Sequence, residues 1–158
     1  MEKLIIKMVD EHYETDSDIR NVMKYIAGEG KNAYREEVLK KRGKGVSKNA
    51  SKAAQQMIAV QKSLDKDHGR RLYQMIVSLP KDVHDKKLIK NMAEEIADML
   101  FEKYQVYYGI HTSKENWHIH FAINAVSHEN GKKWHQNKGE LAEMKVRIYD
   151  LVRYDIDN

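Results

Sequence analysis

The chain has 158 residues, 41% of them apolar and 33% charged. That is the size and balance of one globular domain, too apolar for a disordered chain. It contains no cysteine, which excludes disulfides and thiolate metal sites and leaves His, Asp or Glu to hold any metal. The sequence lacks the run of roughly 18 apolar residues that a membrane span requires, and the opening MEKLIIKMVDEHYE reaches acidic residues too soon for a secretion signal. A cytoplasmic protein formed by a single domain over residues 1–158 is the expectation.

In chain order, Leu4 to Val9 is short, rich in Ile and Val and reads as a strand. In TDSDIRNVMKYIAGEG, the residues Thr15, Asp16 and Ser17 are helix-cap candidates. Ile19, Val22, Met23 and Ile26 follow at helical spacing, and Gly28 and Gly30 end the helix. Residues 32 to 66 read as helical in two pieces broken near Gly43 and Gly45, the more periodic piece being Ala53 to Leu64. Arg71 to Pro80 reads as a second strand, stopped by the only proline. Leu88, Ile89, Met92, Ile96, Met99 and Leu100 mark the buried stripe of a helix from about Lys86 to Lys103.

Tyr104 to His111 is a third strand, TSKENW a polar loop, HIHFAINAV a fourth strand and SHENG a turn. Residues 132 to 135 are a short strand or a loop, and Lys138 to Val152 is a last helix. The order predicts an α+β domain with a mostly antiparallel sheet and helices on one side.

The net charge of +4 says little by itself; its distribution says more. Lys40 to Lys52, KKRGKGVSKNASK, holds five Lys and one Arg and no acid, whereas acids gather at Glu36–Glu37 and Glu94–Glu95. Such a run can neutralise several phosphates, or it can be a solvated connection between two helices.

The most informative stretch is HTSKENWHIHFAINAV, residues 111 to 126. Residues two apart on a strand share a face, so His118 and His120 project together while Ile119 and Phe121 face the other way. If the third and fourth strands pair across TSKENW, His111 arrives beside them. Three neutral imidazoles with open positions suit a divalent metal ion. The alternative is surface decoration, which is how His12, His68, His84, His128 and His135 read.

These residues carry a resemblance. His111, His118, His120 and Asn124, with NAVSHENGKKW after them, resemble the metal motif of HUH-type relaxases, the plasmid mobilisation nucleases of the MobA/VirD2-like family: His, six residues, His, one residue, His, then an apolar run to Asn. MKYIAGEGK is similar to the family's first motif, where a Tyr followed by Ile carries the nucleophile, here Tyr25. LYQMIVSLP is similar to the second, a strand ending in a DNA-holding Ser, here Ser78. One departure stands out. The family commonly has an Asp two residues after the first histidine, thought to orient a ligand histidine or assist the nucleophile; this chain has Ser113, with Glu115 in the same loop as a substitute. Ser113, Glu115 and Asn124 are therefore the polar neighbours expected behind the ligands.

The resemblance implies an HUH-endonuclease fold and a site- and strand-specific nicking–joining nuclease at a plasmid or integrative-element transfer origin. It implies Mg²⁺ or Mn²⁺ on His111, His118 and His120, and a 5′-phosphotyrosyl intermediate on Tyr25. Single-stranded or hairpin DNA is the implied partner, with accessory DNA-binding or coupling proteins beside it. Phosphate contacts fall to Ser78, Lys24, Lys31, Lys40, Lys41, Arg42 and Lys44, and base stacking to Trp117, with Trp134 a further candidate.

Other readings stay open. On periodicity alone Tyr25 is a core-edge residue, and Tyr13 and Tyr34 flank the same helix. A replication initiator or transposase would use the same chemistry, but those proteins usually carry the tyrosine after the histidines. Ser113 favours a module that keeps the fold and binds origin DNA without cutting it. A metal-binding α+β protein with no nucleic-acid role is the remaining class.

Overall fold

The structure is a computed structural model that describes residues 4–29, 37–134 and 138–157. Its elements run β1 (Ile5–Met8), α1 (Asp16–Ile26), β2 (Val38–Lys44), α2 (Ala50–Ser63), β3 (Leu72–Ser78), α3 (Lys86–Phe101), β4 (Tyr104–His111), β5 (His118–Ser127) and α4 (Lys138–Asp157). The strands form one antiparallel sheet in the order β1-β3-β5-β4-β2. This is the α+β class with the antiparallel sheet the sequence predicts. Of the stretch 132 to 135, Lys133 makes an isolated bridge to Val126, and His135 lies outside the described residues.

Two expectations change. The helices cover both faces of the sheet, not one. Met75, Val77, Tyr108, Phe121 and Ile123 pack under α3 and α4 with Ile89, Met92, Ile96, Ile148 and Val152. Leu72, Tyr107 and Ala122 on the opposite face pack under α1 and α2 with Ile19, Met23, Ile26, Ala53 and Met57. The physical reason is in the central strands: β4 and β5 are buried almost throughout, and a strand apolar on both sides needs cover on both.

The second change is β2. Val38–Lys44 belongs to the first of the two expected helical pieces but forms an edge strand, paired from Lys40↔Ile110 to Lys44↔Val106. It has no apolar stripe for a helix to bury, and charged side chains suit a sheet edge because they discourage further strand pairing. A side chain on Gly43 would collide with the carbonyl oxygen of Val46, so glycine is required where β2 turns towards α2.

α1 is held at its start by a capping box, in which the Thr15 hydroxyl accepts from Asp18 N–H and the Asp18 carboxylate accepts from Thr15 N–H. A buried polar network then ties it to the sheet. Arg71 donates to Asp16 at 2.7 Å and to Gln61 Oε1 at 2.8 Å. Gln61 donates to the Arg71 carbonyl at 2.8 Å and to Asn124 Oδ1 at 2.9 Å, and Asn124 donates on to Gln105. The network fills the polar positions of an otherwise apolar interface with partners, as burial demands.

Asn124→Ala is expected to destabilise the fold by about 2–4 kcal/mol, because Gln61, Gln105 and the Val126 N–H would lose partners in the interior. Urea unfolding followed by circular dichroism measures it, and a loss under about 1 kcal/mol would mean water replaces the amide. Acid should weaken the same network. Hydrogen bonds from Arg71, then Lys62, hold the Asp16 carboxyl below its ordinary 3.8. Its stabilisation is complete above that value and lost as pH falls through the lower folded-state pKa. Asp16→Asn should flatten the dependence of unfolding free energy on pH below about 4.

Candidate metal and nucleophile site

The site forms where β4 ends and β5 begins. Register sets His111 opposite His118 and Gly109 opposite His120. Alternation puts all three histidines on the face that α1 and α2 cover, with Ala122 next along that row in the core. The ring centroids of His111 and His120 lie 4.2 Å apart, and those of His118 and His120 6.1 Å apart. His111 and His120 are 2% and 5% exposed, and His118 is half-buried at the rim.

Hydrogen bonds select the tautomers. His111 Nε2 lies 2.9 Å from the carbonyl oxygen of Ile26. A carbonyl only accepts, so Nε2 carries a proton, and in the neutral ring the lone pair is on Nδ1. His120 Nδ1 lies 3.3 Å from Gln74 Oε1, which leaves the lone pair of that ring on Nε2. Gln74 is fixed in turn by donating to the Tyr13 hydroxyl at 2.9 Å. Burial first, then the neighbouring His111, His118 and Lys114, push the His120 pKa down to about 3, so its ring is neutral at physiological pH.

Imidazoles held by a carbonyl and a carboxamide are donors that suit borderline divalent cations. Among the described residues the side chains as placed do not close into a three-ligand cage. His111 and His120 form the close pair, with His118 the remaining donor of the set.

Tyr25 stands against that pair. It is the penultimate residue of α1, whose inner face is Ile19, Val22, Met23 and Ile26, and its ring is 44% exposed. It meets His111 edge-on at 5.5 Å and His120 at 5.4 Å between centroids. Tyr13, by contrast, is buried with its hydroxyl held by Gln74, and burial raises its pKa. Tyr34 and Lys31 lie outside the described residues.

The other expected site residues scatter. Ser78 is the strand partner of His118 and half-buried, so it borders the site. Lys24 is exposed one residue before Tyr25. The basic run does not form one patch, because strand alternation splits it. Lys41 shares the face of Gly109 and pairs with Glu29 at 3.9 Å, whereas Lys40, Arg42 and Lys44 take the face of Ile110, Tyr108 and Val106. There Arg42 and Lys44 meet Glu94 at 2.8 and 2.6 Å, and Lys44 also meets Asp98 at 2.8 Å.

Trp117 is 9% exposed, packed into the core of the opposite face with His84 stacked on it at 4.7 Å, so it is a core plug and presents no ring for a base to stack on. Trp134 packs its ring against Tyr73 and Tyr104.

The polar neighbours expected behind the ligands are also different ones. Ser113 is exposed in the loop. Glu115 is 77% exposed at its side chain and lies 3.7 Å from Lys81. Asn124 belongs to the Gln61–Gln105 network. His111 and His120 have hydrogen-bond partners in the Ile26 carbonyl and Gln74. Gln74 left a sequence signal, as the lone polar residue inside LYQMIV; a backbone carbonyl left none.

Gln74→Leu removes the acceptor that sets the His120 tautomer. Affinity of the histidine cluster for Mn²⁺ is expected to fall about 10–100-fold, read by titration calorimetry. Unchanged affinity would mean the carboxamide has no part in holding the ring.

Comparison with known proteins identifies the family. A family model described as relaxase, MobA/VirD2-like, nuclease domain, matches residues 25–152. Protein rlx of Staphylococcus aureus is 36% identical over 64 residues, which are 40% of this chain and 18% of that relative; the match thus spans under a fifth of the relative's length. A chain from the solved structure described as "Molecular Basis of Vancomycin Resistance Transfer in Staphylococcus aureus" superposes with a TM-score of 0.69 over 98% of this chain and 92% of the other. At 12% identity that likeness is one of fold. With most of its length matched by the family model, the chain belongs to the MobA/VirD2-like relaxase nuclease-domain family.

Proposed function

We propose that residues 1–158 form one relaxase nuclease domain that nicks and rejoins a specific DNA strand at a transfer origin, with Tyr25 as nucleophile and His111, His118 and His120 as ligands of Mg²⁺ or Mn²⁺. The observation that carries the reading is the edge-on packing of the exposed Tyr25 ring against both His111 and His120. It sets a phenol ring beside two buried imidazoles. The divalent cation, when bound, polarises the scissile phosphate and neutralises charge that develops on it.

Tyr25 Oη attacks phosphorus, the P–O3′ bond breaks, and the 3′ oxygen departs to become a hydroxyl. The phenolic proton is released, and the downstream segment stays joined through its 5′ phosphate as a phosphotyrosine ester. One phosphodiester replaces another, so the step is close to energy-neutral and reverses when the 3′-OH attacks the ester. A free phenol, with a pKa near 10, is a weak nucleophile at neutral pH. The C-terminal end of α1 carries the negative pole of the helix dipole, which opposes a phenolate at Tyr25 and favours a cation among the histidines. The proposed site therefore suits an anion stabilised by an adjacent cation.

The proposed substrate is single-stranded or locally melted DNA, because the target phosphate must reach imidazoles that are 2% and 5% exposed. Lys24, beside Tyr25 in the chain, Lys41, on the face of Gly109, and Ser78, the strand partner of His118, are the proposed phosphate contacts.

The test is an adduct assay on a denaturing gel, with labelled single-stranded oligonucleotides from transfer origins and with Mn²⁺ present or chelated. A metal-dependent adduct that maps to Tyr25 by peptide mass spectrometry, and is absent from Tyr25→Phe, is the expected result. Adduct formation by Tyr25→Phe at the wild-type rate would move the nucleophile elsewhere. Tight binding to one origin with no adduct would make the chain a DNA-holding module that does not cut.

A further inference from the structure

The last turn of α1 sits unusually close to the sheet. A β-carbon built on Gly109 would collide with the main-chain oxygen of Ile26 and stand 3.0 Å from its Cγ2 and 3.1 Å from its carbonyl carbon. Two of these three atoms are backbone, so no side-chain adjustment can make room. Gly109 lies in β4 two residues before His111 and opposite both His120 and Lys41. The bare strand at this point is what lets α1 descend until the Ile26 carbonyl reaches His111 Nε2.

The acceptor has its own explanation. The last carbonyls of a helix have no partner within the helix. Earlier in the same turn, the Tyr25 carbonyl accepts from Gly28 N–H and the Met23 carbonyl from Ala27 N–H. The Ile26 carbonyl takes a side chain 85 residues away. One residue earlier on the same turn, Tyr25 lays its ring on His111 and His120. A single docking contact thus sets two things together: which nitrogen of His111 carries the proton, and where the Tyr25 ring stands.

We infer that Gly109 and the Ile26 carbonyl are positioning elements of the site. Through them the helix that bears the nucleophile also selects the His111 tautomer, so that Tyr25 and the histidine cluster form one geometric unit. The catalytic consequence rests on the nuclease reading above; the tautomer assignment does not. Neither element touches substrate, and neither is a residue type that a search for catalytic groups would single out. A displacement near 1 Å of a reacting group can cost on the order of 100-fold in rate, and adding a β-carbon at Gly109 forces a shift of that order on the last turn of α1.

The experiment has a structural and a kinetic arm. Long-range ¹H–¹⁵N correlation spectra of ring-labelled protein report the tautomer of each histidine. Wild-type His111 is expected as the Nε2–H form, and Gly109→Ala, with its fold verified by circular dichroism, should lose that form. In the kinetic arm, the single-turnover rate of adduct formation at saturating oligonucleotide should fall about 100-fold in Gly109→Ala, with oligonucleotide affinity unchanged. A merely destabilised protein would show a smaller active fraction with the same rate constant.

If the alanine variant does not fold, an ester in place of the Ile26–Ala27 amide weakens that carbonyl as an acceptor without adding bulk, at the loss of the Ala27 N–H bond to Met23, and it should shift His111 in the same direction. Wild-type His111 in the Nδ1–H form overturns the proposal, as does a folded Gly109→Ala with the wild-type tautomer and rate. A wild type that forms no adduct, yet loses the Nε2–H form on substitution, sinks the nuclease reading and upholds the positioning.

Discussion

Everything in this structure depends on the two-residue alternation of β5 inside a sheet covered on both faces. Ile119, Phe121 and Ile123 enter the core under α3 and α4, so His118, His120, Ala122 and Asn124 must face α1 and α2. Slipping the strand by one residue would put two imidazoles and an amide into the apolar core and expel three large hydrophobic side chains. Pairing on both sides, with β3 from Leu72↔Asn124 to Ser78↔His118 and with β4 up to His111↔His118, removes that freedom. The histidine row is therefore as rigid as the core that backs it. A site built on central strands keeps its geometry better than one built on loops.

The other half of the site comes from a helix fixed at both ends by different physics. At its start α1 is held by the Thr15–Asp18 capping box and by Asp16, which accepts from Arg71 and Lys62. These interactions satisfy orphan N–H groups and place a carboxylate at the positive pole of the dipole. At its end the helix is limited by sterics, at Gly109, and by one hydrogen bond to His111. Between the two lies a strip of Ile19, Met23 and Ile26, all fully buried, which supplies most of the burial free energy. The ends decide orientation more than stability, and orientation is what brings the Tyr25 ring to the histidines.

Electrostatics divides along the same alternation. Arg42 and Lys44 are matched with Glu94 and Asp98 on the α3 face. Burial opposes ionisation of Glu94, but hydrogen bonds from Lys44 and Tyr108 and the nearby Arg42 outweigh it and keep its pKa low. Exposed ion pairs contribute about 0–1 kcal/mol each, so this cluster neutralises the edge of the sheet more than it strengthens it. Lys41 takes the other face, that of Gly109, and pairs with Glu29.

How much of this could be read from the sequence depended on the range of the interaction. The stripe of Ile19, Val22, Met23 and Ile26, the caps before it and the H-x-H alternation are local patterns, set by backbone geometry over a few residues, and they appear in the structure where the sequence predicts them. The lysine-rich segment misled because an edge strand needs no apolar period of its own; its partner in β4 lies about seventy residues on. Trp117 read as a possible stacking surface because aromatic residues look alike in sequence whether they plug a core or face solvent, and only the packing under α3 and α4 distinguishes the two. Ser113 drew attention as the position where the family has an Asp, and Glu115 as its neighbour in the loop, while hydrogen-bond partners of the rings came from Gln74 and from a carbonyl in α1. The sequence by itself determined the periodicities, and with them the elements and the shared face of the histidines. Only the tertiary structure decided which distant backbone atom meets which ring, because that depends on the space left between packed elements, such as the missing side chain at Gly109, and no local pattern encodes that space.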